Sequence, residues 1–253
     1  MKRFFNIQAG YDLVQRAVSA VYGELEGFDY FEDFVDHDTE AFTNRVRSPQ
    51  RHTLLHLFLE NLEVESLEAD LHDVSPSENF AFLASYVRVA GVEPPPWFNE
   101  KEIDRHSEEA KTMFPQLAKA VVASSAFEIL FNDREFLHRF QLNVTDALRR
   151  SDTPHPTNCY TAGGQVRRCA RIPMWLKKAV FFRDRGRCQM CFKDVSGQLY
   201  VANEYHLDHV LSLAAFGTND PTNFQLLCEN CNLRKSVGRE TPRNQQVRFW
   251  EMD

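Results

Sequence analysis

Residues 187–235 read RCQMCFKDVSGQLYVANEYHLDHVLSLAAFGTNDPTNFQLLCENCNLRK, and a CxxC pair stands near each end of this segment. Cys188 and Cys191 form the first pair, and Cys228 and Cys231 form the second. Four thiolates at this spacing suit a tetrahedral structural Zn²⁺. The 36 residues between the pairs exceed the roughly 15–20 of a simple zinc ribbon. We therefore expect the zinc to tie together the ends of an inserted element and to stabilise a unit with little core of its own.

The inserted segment has the pattern of a small mixed structure. Its YHLDHVLS portion alternates like a strand, which places His206 and Asp208 on one face and His209 on the other, unless a bulge re-aims His209. Turn-forming residues follow, then a short apolar run, and then a polar segment that favours a helix. The predicted order is a strand at 205–212, a loop at 214–222, a second strand at 224–227 and a helix from 232.

Taken together, these motifs resemble the HNH endonucleases, a family whose catalytic unit is the ββα-metal fold. The resemblance rests on RDRGRCQMC, LDHVLSL and GTNDPTNFQLLCENCNLRKS, which follow one another in the order that the family shows. It covers roughly residues 172–240, under a third of the chain. The resemblance implies hydrolysis of phosphodiester bonds in nucleic acid, with DNA favoured over RNA as the substrate.

The resemblance also implies roles for individual residues. His209 matches the general base, which takes a proton from water at neutral pH. Asp208 and Asn232 match the ligands of a catalytic divalent ion, and their oxygen donors suit Mg²⁺ or Mn²⁺. Asn223 matches the middle asparagine of the family name, which constrains the loop and the histidine. Zinc is thus expected only at the four cysteines.

Some positions depart from the family pattern or leave alternatives open. Asn232 stands where many members have His, and Ser212 stands where a Pro often follows the Asp-His strand. The extra His206 is either a further metal ligand or phosphate contact, or a surface histidine. In the helix predicted after the second CxxC pair, Arg234 and Lys235 match residues that contact phosphate.

Charge is distributed unevenly along the chain. The net charge is −7. Residues 1–150 carry 15 Lys and Arg against 26 Asp and Glu, whereas residues 151–253 carry 14 against 10. An excess of basic residues beside a metal site is what a phosphate-binding surface needs, and we expect Arg183, Arg185 and Arg187 to bind nucleic acid. A solvated helix face is the alternative for a run of charges considered alone.

The sequence as a whole predicts an α+β protein. A mostly α-helical N-terminal domain precedes the small unit that zinc stabilises. Apolar residues recur at helical spacing within 12–22, 52–71 and 80–92. A segment rich in Pro, Gly, Ser and Thr at 151–166 reads as a linker. We therefore divide the chain into an acidic helical domain at 1–150, this linker, and a nuclease domain at 167–253. The first domain is expected to bind an effector or a protein partner, or to self-associate.

Location and pathway are expectations drawn from absences and analogy. The sequence contains no run of about 18 apolar residues, so no membrane span is predicted. The N-terminus lacks the pattern of a signal peptide. We therefore expect a cytoplasmic protein with no membrane partner. By analogy with fused modules of this kind, antiviral defence against foreign DNA is an expected role. The alternative to an enzyme is a non-catalytic, zinc-stabilised protein for nucleic-acid binding or assembly.

Overall fold

The structure is a computed structural model, and it describes residues 10–23, 31, 34, 39–72, 75–150, 159–197 and 205–235. This part of the chain is mainly helical, with one two-stranded antiparallel sheet near the C-terminus. The predicted α+β class is therefore confirmed. In chain order, the α-helices and strands of the described residues are α1 (Tyr11–Tyr22), α2 (Thr39–Arg47), α3 (Leu54–His72), α4 (Phe80–Ala90), α5 (Ser107–Leu117), α6 (Ser124–Leu130), α7 (Arg134–Arg150), α8 (Met174–Arg183), β1 (Tyr205–His209), β2 (Phe224–Cys228) and α9 (Glu229–Lys235). A 3₁₀ helix (Ile103–His106) precedes α5, and a π-helix (Ala118–Ala123) joins α5 to α6.

The chain divides into two compact units. The first unit spans residues 1–30 and 54–133, and the second spans residues 31–53 and 134–253. The sequence analysis divided the chain into a helical domain at 1–150, a linker at 151–166 and a nuclease domain at 167–253. That functional division stays a prediction. Residues 151–158 of that linker lie outside the described residues, and the remainder forms a turn closed by a bridge between Tyr160 and Val166.

Helices of the first unit end where the sequence supplies a glycine. Gly23 (φ 73°) and Gly91 (φ 67°) adopt the left-handed conformation directly after α1 and α4. A side chain would strain this conformation, so glycine is the natural residue to stop a helix there. The expected helix at 80–92 therefore ends at Ala90 instead, because Gly91 caps it before the following prolines are reached.

Apolar side chains from α3, α4 and α5 form one core of the first unit. Leu67, Leu83 and Phe114 are at most 1% exposed, and Trp97 and Phe98 pack against them. Of the apolar residues within 52–71, Leu54, Leu55, Leu59, Leu62 and Leu67 are at most 6% exposed. Among the helices in the described ranges, none alone is both long and apolar enough to cross a membrane.

Helices α2, α7 and α8, the sheet and α9 belong to the second unit. A core cluster joins α8 to β2 and includes Leu176, Val180, Phe224 and Leu226. From α7, the buried Gln141 donates from Nε2 to Thr222 Oγ1 at 2.8 Å and accepts from Thr218 Oγ1 at 3.0 Å. Helix α7 therefore holds the connection between the two strands from one side.

The two strands pair in a regular register. Asp208 lies opposite Gln225, and His209 lies opposite Phe224. Side chains alternate across such a ladder, so Asp208 and His209 point to opposite faces, and no bulge is present in the described ladder. The polar loop between the strands is closed by short 3₁₀ helices at Leu213–Ala215 and Pro221–Asn223. Strand β1 thus delivers two neighbouring polar side chains to different surroundings.

Candidate functional site

The four cysteines of the CxxC pairs converge in space. Their sulfur atoms all lie within 4.8 Å of one another, and Cys191 Sγ is 3.7 Å from Cys228 Sγ. A tetrahedral zinc with Zn–S bonds of about 2.3 Å places its sulfurs about 3.8 Å apart. The cluster therefore fits the zinc site predicted from the sequence, with Cys188 and Cys231 as the remaining ligands.

Local hydrogen bonds favour the thiolate form of Cys188, whereas burial raises the pKa of Cys191 and of Cys231. Burial alone opposes ionisation of Cys188, but the backbone amides of Cys228, Met190 and Cys191 donate to its sulfur, and together they lower its pKa to about 7. Arg234 Nη2 lies 3.0 Å from Cys231 Sγ. This guanidinium therefore offsets negative charge on the sulfur cluster, as outer partners of metal ligands commonly do.

A buried cation faces the carboxylate of β1. Lys235 is 7% exposed, and its ammonium donates to Asp208 Oδ2, to the carbonyl oxygen of His209, and to that of Val210 at 3.3 Å. Three oxygens from the end of β1 therefore surround one positive charge, which is the donor chemistry that a hard divalent ion also prefers. Asn232 stands three residues before Lys235 on α9, so the two share the helix face turned toward β1.

His209 lies on the other side of β1 and is 2% exposed. Its ring packs against Phe224, with ring centroids 4.5 Å apart, and its Nε2 is 3.2 Å from Asn219 Oδ1. Burial, with a further contribution from the charge of Arg168, lowers the pKa of His209 to about 4. The imidazole is therefore neutral at physiological pH, which is the protonation state of a general base.

The side chain of Asn223 cross-links the loop between the strands by hydrogen bonds to other residues of that loop. Its Oδ1 accepts from the Leu211 amide at 2.8 Å, and its Nδ2 donates to the carbonyls of Leu211 at 3.0 Å and Thr218 at 2.8 Å. A Cβ on Gly217 would stand 2.0 Å from the Leu211 carbonyl oxygen, so only glycine fits this close approach. The loop around His209 therefore has one closely specified shape.

Sequence reasoning missed polar residues that complete the site. Besides Asn219, the buried Gln225 accepts from Arg134 Nη2 at 2.7 Å and directs its own Nε2 toward Asp208 Oδ2 at 3.5 Å. The position of Gln225 opposite Asp208 follows from the strand register. Its link to Arg134, 91 residues away on α7, left no signal in the sequence.

The basic residues expected to bind nucleic acid fall into an exposed group and a buried group. Arg185 and Arg187 are exposed in the turns after α8, and Arg234 is exposed beside the cysteine cluster. The side chain of Arg183 is 2% exposed and pairs with Asp184 at 2.8 Å, and the ammonium of Lys235 is buried against Asp208. The placements of Arg183 and Lys235 are not those of surface phosphate contacts. His206 is half-buried on β1 and shares the face of Asp208.

Comparison with known proteins identifies one part of the chain. Residues 188–238 match the family model described as HNH endonuclease. This range contains the cysteine cluster, both strands and α9. No curated protein and no solved structure matches the chain. The match covers about a fifth of the sequence and assigns a nuclease-type domain to it.

Removing a zinc ligand is expected to destabilise the second unit. Metal analysis should find about one zinc per wild-type chain and a clear loss in Cys188→Ser. Because metal binding contributes several kcal/mol to such small units, we expect the Tm of Cys188→Ser to fall by about 10 °C, at roughly 2–4 °C per kcal/mol. Cys159→Ser, a buried cysteine outside the cluster, serves as the control and should keep its zinc. A metal-free wild type with an unchanged Tm would contradict the site.

Proposed function

We propose, on the premise that residues 188–238 form an HNH endonuclease domain, that this chain is a metal-dependent endonuclease that hydrolyses phosphodiester bonds in DNA. The observation that carries the proposal is the pair of environments at the end of β1. A neutral imidazole, His209, stands on one side, and a carboxylate already in contact with a cationic group, Asp208, stands on the other. Hydrolysis of a phosphodiester needs both a proton acceptor and positive charge at the phosphate.

In the proposed reaction, His209 accepts the proton of the attacking water. Asn219 Oδ1 occupies the Nε2 side of the ring, so Nδ1 is the nitrogen that takes the proton. The water oxygen bonds to phosphorus while the bond from phosphorus to the 3′ oxygen breaks. Since His209 is only 2% exposed, one water must gain access to Nδ1 for the reaction to begin.

We assign a catalytic Mg²⁺ or Mn²⁺ to Asp208 and Asn232. When bound, the ion supplies positive charge to the phosphate and to the departing oxygen. The oxygens around the Lys235 ammonium are of the type that such an ion prefers. Lys235 would have to withdraw from Asp208 to make room, and His206 shares the Asp208 face as a candidate additional ligand.

Exposed arginines near the cysteine cluster support binding to a phosphate backbone. We propose Arg185, Arg187 and Arg234 as contacts, and leave out Arg183 and Lys235 because their charges are buried against carboxylates. DNA is preferred to RNA in this proposal because the resemblance favours it.

Plasmid cleavage tests the proposed activity. The full chain should nick or cut supercoiled plasmid with Mg²⁺ or Mn²⁺ and stop in EDTA. His209→Ala, Asp208→Asn and Asn232→Ala should each slow cutting by about 10²–10⁴-fold, the usual contribution of general acid–base groups, with zinc content unchanged. His106→Ala, a histidine in the first unit, is the matched control and should cut normally. Cutting that survives His209→Ala would remove the proposed base.

The salt dependence of binding tests the proposed contacts with DNA. Each phosphate contact contributes a slope of about 0.9 to the fall of log affinity with log salt concentration for duplex DNA. Replacing Arg185 and Arg187 together by Gln should therefore weaken binding and flatten this slope by up to about 2. The exposed pair Arg88 and Arg105 in the first unit, changed in the same way, controls for net charge. Equal slopes for the two double variants would place the DNA elsewhere.

A second function, nucleic-acid binding or assembly without catalysis, is favoured by two specific observations. His209 is buried, and the carboxylate of Asp208 is already paired with Lys235. Under this alternative, the chain binds DNA in a salt-dependent manner and leaves every plasmid intact with each divalent ion. The cleavage experiment separates the two functions directly.

We propose that the N-terminal region controls the nuclease by binding an effector or a protein partner, or by self-association. A pocket of ≈ 530 Å³ in the first unit supports an effector. Its lining includes the buried Glu63, which accepts hydrogen bonds from Arg16 and from Tyr86 Oη. A role in defence against foreign DNA and a cytoplasmic location stay predictions.

A further inference from the structure

The loop between β1 and β2 contains a buried asparagine that contacts His209 directly. Asn219 is fully buried, and its Oδ1 lies 3.2 Å from His209 Nε2. Its Nδ2 donates to the carbonyl oxygens of Arg47 at 2.9 Å and Arg167 at 2.7 Å. All polar atoms of this side chain are therefore engaged.

These contacts fix which way the amide points. Only the nitrogen of the amide can donate, and both of its hydrogens have carbonyl acceptors. The oxygen must therefore face the histidine, and it also receives the Cys169 amide at 3.4 Å. An oxygen acceptor requires a hydrogen on His209 Nε2, so the neutral ring carries its lone pair on Nδ1.

The same asparagine closes the end of a helix far away in the sequence. The last carbonyls of a helix have no partner within the helix. Helix α2 ends at Arg47, and Asn219 donates to it twice, from its backbone amide to Val46 at 2.9 Å and from its side chain to Arg47. Helix α2, 172 residues earlier in the chain, is thereby joined to His209 through one side chain.

We propose that Asn219 is a positioning residue for the general base, which sets the tautomer of His209 and anchors the ring to α2. This inference rests on the proposed function for its kinetic consequence, whereas the tautomer itself does not. The nuclease centre then includes residues 46–47, well outside the matched family segment. A purely structural Asn219 would cap α2 and close the loop without governing the ring.

Two substitutions separate positioning from capping. Asn219→Leu removes every side-chain hydrogen bond, whereas Asn219→Asp keeps an oxygen for Nε2–H and loses the donors to Arg47 and Arg167. Asn132→Leu is the matched control, because Asn132 is exposed in the first unit and also donates to a carbonyl, that of Glu128 at 2.7 Å. All variants are made in the full chain, and zinc content, Tm and DNA affinity are measured for each.

The kinetic readout is the single-turnover rate of plasmid nicking with Mn²⁺. We expect Asn219→Leu to slow nicking by about 10²-fold or more, the scale of a lost general base, with DNA affinity within about twofold. Asn219→Asp should recover at least about tenfold of that loss although it loses the side-chain donation to Arg47 at the end of α2. An Asp variant no faster than the Leu variant, or a Leu variant as fast as wild type, would overturn the proposal.

A spectroscopic readout is independent of cleavage. The ¹⁵N chemical shifts of the His209 ring, assigned by comparison with His209→Gln, report which nitrogen carries hydrogen. Wild type should show the Nε2–H form alone, and Asn219→Leu should show a mixture of forms. A wild-type Nδ1–H form would refute the inference even if Asn219→Leu failed to fold. A chain that shows the Nε2–H form and never cuts DNA would instead contradict the proposed function and leave the tautomer assignment standing.

Discussion

Convergence of four sulfur atoms is the constraint on which the C-terminal unit depends. Two strands of five residues and a helix of seven bury too little apolar surface to hold a shape by themselves. The cluster joins the turn after α8 to the end of β2 and the start of α9, and so fixes the sheet between them. Since Asp208 and His209 lie on that sheet and Lys235 lies on that helix, the contact of Lys235 with the end of β1 depends on this closure.

Around this frame, the connection between the strands is built from buried polar residues. Asn219, Asp220, Thr222 and Asn223 are each 0% exposed, which would be costly if their hydrogen bonds were not made. Asn223 forms hydrogen bonds within the loop. Gln141 connects the loop to α7, and Asn219 connects the loop to α2. A network that is satisfied in this way is rigid and specific, which suits a site that must hold an imidazole in one orientation.

Local pattern predicted the parts of the site that are near one another in sequence. The cysteine pairs, both strands and the last helix were identifiable because spacing and alternation reflect ligand geometry and strand pairing. Their bounds were not, because β1 ends at His209 instead of 212 and α9 begins at Glu229 instead of 232. Contacts over long sequence separations left no such signal. Asn219 lies in the loop predicted at 214–222, and nothing in that pattern indicated that its side chain joins His209 to α2. The expected domain division followed the chain, so α2 and α7 were not anticipated beside the sheet.

Charge counts were incomplete for a related reason. The sequence gives the number of basic residues near the cysteines but not the partners that neutralise them. Asp184, the single acidic residue within that basic run, pairs with Arg183, and Asp208 pairs with Lys235. A buried ion pair is retained only where both charges find partners, so these residues contribute to the interior of the site. Arg185 and Arg187 are exposed, and their role as nucleic-acid contacts stays a prediction.

Anomalous diffraction from crystals of the full chain grown with Mn²⁺, recorded on both sides of the zinc and manganese absorption edges, tests the central claim most directly. The account predicts a zinc peak at the centre of the four cysteine sulfurs and a manganese peak between Asp208 and Asn232, with the Lys235 ammonium moved away from the carboxylate. Cysteines without zinc, or manganese bound elsewhere while Lys235 stays on Asp208, would contradict it.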